Sequence, residues 1–322
     1  MGARPSSRLS YRMLVVAVGL GVLCASSGAA QDPCRHCLDG FRFLPSSVVP
    51  DAFATTHFFN STGGGTAVNL TVPVRNLIGD EVDSLQGNIG FLLIDFEYQK
   101  SLGRRLALRV SANAVGRVGT SVEAVVASGA SAAFGGSFGA TVPIWHNQQF
   151  LVSAVGDVRH ASAYEIDPYG FVKGIADGGY NDSTKQRLLG VVPINRWSLG
   201  LRGAWGIRPW MGLKASLESG LADAAATDNE SLTAIGAQVG FDFRKLSDVP
   251  IGLSLAYRGL NGPARTADVG GSYRIYELGL FYTGRSQFTI GGDLAWSRVA
   301  LREGAVGDLD AAQFRVVTRI DF

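Results

Sequence analysis

"LLIDFEYQ", residues 92–99, alternates strictly: Leu92, Ile94, Phe96 and Tyr98 fall on one face of an extended chain, and Leu93, Asp95, Glu97 and Gln99 on the other. The same dyad returns in "LALRVSANAVGRV" (106–118), "RWSLGLRGAW" (196–205), "AQVGFDFR" (237–244) and "FTIGGDLAWS" (288–297). In each, one parity is apolar or aromatic and the other carries charge. Period two marks a strand whose two faces meet different surroundings. Twelve such segments can be marked, near 66–74, 89–99, 105–118, 130–144, 149–166, 191–207, 210–222, 232–245, 250–260, 272–283, 287–300 and 312–322.

The links between these segments alternate in length. "KSLGRR", "WHNQ", "RP", "RKLSDVP" and "TGRS" are short, whereas "GTSVEAVVASG", "DPYGFVKGIADGGYNDSTKQRLLG" and "ADAAATDNE" are longer and polar. An even strand count with short turns at one end describes an all-β, antiparallel up-and-down transmembrane barrel. A soluble β-sandwich also shows short alternating strands, but it has no need for aromatic rings at strand ends. Here Tyr98, Trp145, Trp197, Trp210, Tyr257, Tyr282 and Trp296 lie near segment ends, as membrane-interface girdles require. A closed barrel also satisfies every backbone group in lipid, which an open sheet does not.

The N-terminus indicates export. Arg4, Arg8 and Arg12 precede the apolar run "MLVVAVGLGVLCA" and the small residues "SSGAA", the pattern of a signal peptide over 1–30. The run is shorter than the roughly 20 residues of a spanning helix. Removing 1–30 takes three of the 29 Lys and Arg and none of the 27 Asp and Glu, leaving a net charge of −1. A basic groove for nucleic acid is not expected. In an exported chain the pair Cys34 and Cys37, in "CRHC", is most simply a disulfide. Haem attachment would need His where Leu38 stands, and a zinc site would need more ligands than His36 and His57. No metal or cofactor is expected.

Residues 31–65 read as a periplasmic N-terminal segment, with the barrel occupying 66–322. "FATTHFF" could instead begin the first strand, giving 52–60 in place of 66–74. The Gly63–Gly65 run lacks the Lys-Ser/Thr of a phosphate loop and reads as a turn.

The chain ends in "RVVTRIDF", with Val316, Thr318, Ile320 and Phe322 on one parity. This resembles the terminal strand of Gram-negative outer-membrane β-barrel proteins, whose last residue is commonly Phe. The resemblance implies residence in the outer membrane, lipid and lipopolysaccharide as surroundings, and Phe322 as an assembly signal for the barrel-insertion machinery. It names no substrate and no oligomeric state.

Projecting the charged parity inward places Asp95, Glu97, Asp157, Glu218, Asp242, Glu277 and Asp293 in the lumen, opposite Arg109, Arg117, Arg159, Arg196, Arg202, Lys214, Arg258, Arg315 and Arg319. Such an interior suits a pore for small polar solutes, with a slight cationic excess favouring anions. It suits equally a lattice of ion pairs that closes the tube, leaving an adhesive or structural barrel. The long link 167–190, with "GIADGG", could fold over the mouth.

A catalytic alternative sits on the other parity. His160 and Ser162, two apart in "RHASAY", share the apolar face of their strand, and Asn195 has outward parity on the next. This resembles the H-x-S arrangement of outer-membrane phospholipase A and lipid A deacylases. There, His acts as general base for a Ser nucleophile and a third residue orients the ring. Those families resemble H-x-S-N, whereas Ala163 follows Ser162 here. No catalytic set is therefore favoured over passage of solutes.

Overall fold

A computed structural model describes residues 36–75, 81–103, 105–120, 130–166, 189–224, 227–263, 270–299 and 309–322. The expected leader 1–30, Cys34 and the link 167–188 lie outside these residues. Cys37 is disulfide-bonded. Among the described residues, no helix is long and apolar enough to cross a membrane.

A two-residue hairpin comes first, β1 (Cys37–Leu38) and β2 (Phe41–Arg42). Its turn residues Asp39 and Gly40 both have positive φ, 48° and 76°, as the commonest two-residue hairpin turn requires and as Asp-Gly supplies. Twelve long strands follow: β3 (His57–Arg75), β4 (Glu81–Ser101), β5 (Ala107–Gly119), β6 (Ala130–His146), β7 (Phe150–Ile166), β8 (Leu189–Arg208), β9 (Met211–Ala224), β10 (Thr227–Asp242), β11 (Ile251–Pro263), β12 (Gly270–Tyr282), β13 (Phe288–Val299) and β14 (Leu309–Asp321). A single helical turn, α1 (Arg244–Ser247), lies between β10 and β11. Each long strand pairs antiparallel with its sequence neighbours, and β14 returns to β3, so the sheet is a closed barrel. The rim holding His57, Asp321 and the turns at 102–106, 147–149, 209–210, 243–250 and 283–287 is termed the near rim.

Side-chain burial inverts the soluble pattern. Leu92, Phe134, Val158, Leu199, Leu280 and Phe314 are exposed on the outer wall, whereas Arg202, Lys214, Glu218, Glu277, Asp293, Arg315 and Arg319 are buried inside. An apolar outside around a charged inside is the arrangement a barrel takes when lipid is its outer solvent. Rings mark the near-rim interface. Phe150 stacks on Trp145 at 6.2 Å and on Trp205 at 5.2 Å between centroids.

Two expectations are corrected. The barrel begins at His57, not residue 66, because β3 needs its first ten residues to pair with the end of β14, from His57↔Asp321 to Thr66↔Ala312. Gly63–Gly65 is accordingly no turn but the middle of β3, facing Arg315, Phe314 and Gln313. A Cβ at Gly63 would lie 2.0 Å from the Phe314 carbonyl oxygen. Glycine here allows the two backbones at the seam to approach.

The second correction concerns residues 36–56. They do not lie beyond the barrel but inside it. Leu38, Phe41, Phe43, Leu44, Val48, Val49, Ala52 and Phe53 are all buried, packed against Leu151 and Ala204, against Phe281 and Val317, and against Ala256. The physical reason is barrel size. About eight strands close around a space that wall side chains can fill, and twelve leave room over. An apolar segment that lacks a strand partner has every reason to enter that space.

Candidate functional site

The lumen wall and this internal plug form one site. The plug is mostly irregular: Pro45 and Pro50 deny it ladder donors, and its carbonyls need partners if they are to leave water. The barrel supplies them from six strands. Gln99 Nε2 donates to the carbonyls of Phe53 (2.7 Å) and Thr55 (2.9 Å), and Ser153 Oγ to Ala52 (2.6 Å). Arg202 Nη1 donates to Asp51 (3.3 Å), Lys214 Nζ to Leu44 (2.9 Å), Gln238 Nε2 to Pro45 (3.3 Å) and Arg258 Nη1 to Val48 (3.0 Å). Arg202, Lys214 and Arg258, read from sequence as lumen residues, thus serve together with Gln99, Ser153 and Gln238 as donors to the plug backbone.

Their charges are matched by a lattice that crosses strands. Arg109 of β5 pairs with Glu97 of β4 (3.7 Å) and with Asp157 of β7. Arg202 of β8 joins the same Asp157 (3.2 Å) to Glu218 of β9 (2.8 Å). Glu218 also accepts from Arg258 (3.0 Å) and lies 3.9 Å from Arg196. Farther round, Arg315 bridges Asp293 (2.7 Å) and Glu277 (2.9 Å), and plug residue Ser47 donates to both acids. Buried ions are tolerable only with such multiple partners, and removing one leaves its neighbour stranded.

The remaining expected residues are less central. Asp95 takes the inward parity of β4 and is partly buried. Arg159 donates to Asn113 Oδ1 (2.7 Å) on the lumen side. Asp242 belongs to the near rim, accepting from Thr283 Oγ1 (2.9 Å) and from the Arg244 amide (3.2 Å).

Sequence reasoning missed the plug's own ionic anchor. His36 Nε2 meets Asp51 Oδ2 at 3.0 Å, and Arg319 of β14 contacts Asp51, Asp321 (2.8 Å) and His36 Nδ1 (3.0 Å). Arg42 reaches Asp321 at 3.6 Å and the Arg285 carbonyl. Burial drives the His36 imidazole down to about 4, and the Arg319 charge beside it adds to the shift. Burial opposes ionisation of Asp51, yet His36 and Arg319 hold its carboxyl well below the usual carboxylate range. His36 is therefore neutral at pH 7 and Asp51 charged. The Asp39-Gly40 pair between apolar residues was the available signal for a folded hairpin here.

On the outer wall, β7 and β8 bring His160 opposite Asn195. His160 Nδ1 donates to Asn195 Oδ1 (2.7 Å), and Ser162 Oγ donates to His160 Nε2 (3.4 Å). Phe322 is exposed on the same outer surface, its amide donating to the Thr56 carbonyl (3.0 Å) where the barrel closes. Among the described residues, no three side chains of metal-ligating type are grouped to hold an ion.

No protein-family model matches the chain, and no curated protein matches it in sequence. Solved structures do. The translocator domain of the autotransporter NalP from Neisseria meningitidis matches with a TM-score of 0.50 and 11% identity, over 84% of this chain and 90% of that one. The transport unit of the autotransporter AIDA-I from Escherichia coli matches at 0.48 and 10%, over 83% and 90%. The NanC porin matches at 0.47 and 7%, over 82% and 100%. At these identities the likeness to NalP is one of fold: the chain is a twelve-stranded barrel of outer-membrane type.

Proposed function

We propose that the protein is an outer-membrane channel for small polar solutes, gated by its own N-terminal segment. The observation that supports this is the way residues 36–56 are held. Six luminal side chains grip the plug by its carbonyls, and no strand ladder joins it to the wall among the described residues. The neutral donors contribute about 0.5–1.5 kcal/mol each and the charged ones about 1.5–3 kcal/mol. None of these bonds belongs to the barrel ladder, so the plug can leave as a unit while the barrel stays closed. Its departure would free Arg202, Lys214 and Arg258 to face water beside the paired acids, a lining that favours anions over cations.

The test is single-channel recording in planar bilayers, comparing the full chain with one lacking residues 36–56. The full chain should be mostly closed. The deleted form, checked for correct folding by its heat-modifiable migration on gels, should conduct steadily with a reversal potential indicating anion preference. A folded, plug-free barrel that does not conduct would sink the reading.

A further inference from the structure

Solute passage makes no use of the polar side chains on the lipid wall. His160, Ser162 and Asn195 lie on the parity that elsewhere carries Val158, Trp197, Leu199 and Leu201, all exposed. The three interrupt a largely apolar wall as a group on adjacent strands, so the position invites a reason. Ten residues separate His160 from Phe150 of the near-rim girdle. At about 3.3 Å per residue and a tilt near 40°, that is roughly 25 Å along the axis, the height of the apolar band. The three side chains thus sit where acyl chains give way to headgroups, the depth at which lipid ester carbonyls are found.

Their hydrogen bonds run in one direction. The Asn195 carbonyl oxygen can only accept, so the ring proton of His160 is on Nδ1. Nε2 is then left with its lone pair, and it is Nε2 that faces the Ser162 hydroxyl. This is a nucleophile, a base in the required tautomer, and a group that orients the base. The orienting residue comes from the neighbouring strand, so the absence of Asn directly after Ser162 does not break the set.

We infer that Ser162, His160 and Asn195 form a hydrolytic site for fatty-acyl esters of membrane lipid. Ser162 Oγ bonds to the ester carbonyl carbon as its proton passes to His160 Nε2. The bond from that carbon to the alcohol oxygen breaks, and Nε2 returns the proton to the departing oxygen. Water then attacks the acyl-enzyme, giving a proton to Nε2, and the proton passes on to Oγ as the carbon–Oγ bond breaks. The net reaction is ester and water to fatty acid and alcohol. Asn195 is a positioning residue throughout. The site is independent of the plug, and failure of the channel reading leaves it untouched.

The experiment uses the full chain refolded in detergent, with folding of every variant checked by heat-modifiable migration. A fluorophosphonate probe should label Ser162, and Ser162→Ala and His160→Ala should abolish the label. The same protein is placed in vesicles of phosphatidylethanolamine with phosphatidylglycerol, and separately in vesicles containing purified lipopolysaccharide. Released fatty acid is measured by mass spectrometry. One arm should release fatty acid, and the arm that does so identifies the lipid. Ser162→Ala should cut release at least 100-fold. Asn195→Ala should cut it roughly 10- to 100-fold, and Asn195→Asp, which still accepts from Nδ1, should recover most of it. Release and labelling unchanged in Ser162→Ala would overturn the assignment. So would a folded protein that shows neither, or one labelled at Ser162 that cleaves neither lipid.

Discussion

Phe41→Ala separates the plug from the barrel most cleanly. The ring is fully buried, meets Phe43 edge-on at 5.0 Å between centroids, and rests on the near-rim wall at Gly212 and Gly240. It belongs to no barrel strand, so its loss should spare the closed sheet. Truncating a buried Phe to Ala costs about 3–5 kcal/mol. The lower figure applies, because one side of the ring faces glycine backbone and forfeits fewer side-chain contacts. About 3 kcal/mol acts on the docking equilibrium alone and shifts it roughly 100-fold towards the undocked state. In planar bilayers the open probability should rise by about that factor, with single-channel amplitude equal to that of the form lacking 36–56. Limited proteolysis should cut 36–56 correspondingly faster while the barrel stays resistant. Unchanged opening and unchanged protection in a folded Phe41→Ala barrel would refute the idea that plug packing controls the lumen.

Asp51→Asn should loosen the plug further, by about 3–5 kcal/mol, since Arg319 loses a buried counter-charge and neutral His36 a charged hydrogen-bond acceptor; faster proteolysis of 36–56 at pH 7 checks this. Acidification should act in the same direction. His36 is packed against Phe43 and Phe53 and faces Asp51, Arg319 and Asp321. Its docked value near 4 lies below the ordinary 6.5, so the released plug binds the proton first. Docking is therefore undiminished above pH 6.5 and weakens as pH falls towards 4, by on the order of 3 kcal/mol. Protonation of Asp51 removes more below that. Open probability should climb through this window in the full chain, and a flat profile would contradict the assignment; His36→Phe should flatten the climb above pH 4. Finally, Gly63→Val should block closure of β3 on β14, because its Cβ would meet the Phe314 carbonyl at 2.0 Å. Loss of heat-modifiable migration is the readout, and a folded Gly63→Val barrel would count against the close seam.

The twelve strands and the direction of nearly every side chain on them were legible in the sequence. Alternation is local: once Leu92, Ile94 and Phe96 must face lipid, Asp95 and Glu97 must face the lumen, whatever the rest of the chain does. A solvent change from water to lipid makes that rule stricter, since outward positions within the apolar band are overwhelmingly apolar, and His160, Ser162 and Asn195 stand out against it. The partners of those side chains were not legible. Asp157 bridges Arg109 of β5 and Arg202 of β8 only because β5 to β8 curve round a common interior. His160 meets Asn195 because of the register between β7 and β8, and the intervening residues carry no pattern that sets it. Gly63–Gly65 looks like a turn until β14 arrives from the far end of the chain to pair with it. Residues 36–56 were the largest gap. No period of two runs through them, and although Leu38, Phe41, Leu44 and Val48 are spaced by three, three and four residues, Pro45 and Pro50 break any helix there. Their place is decided by a cavity, and a cavity is a property of twelve strands closed into a ring.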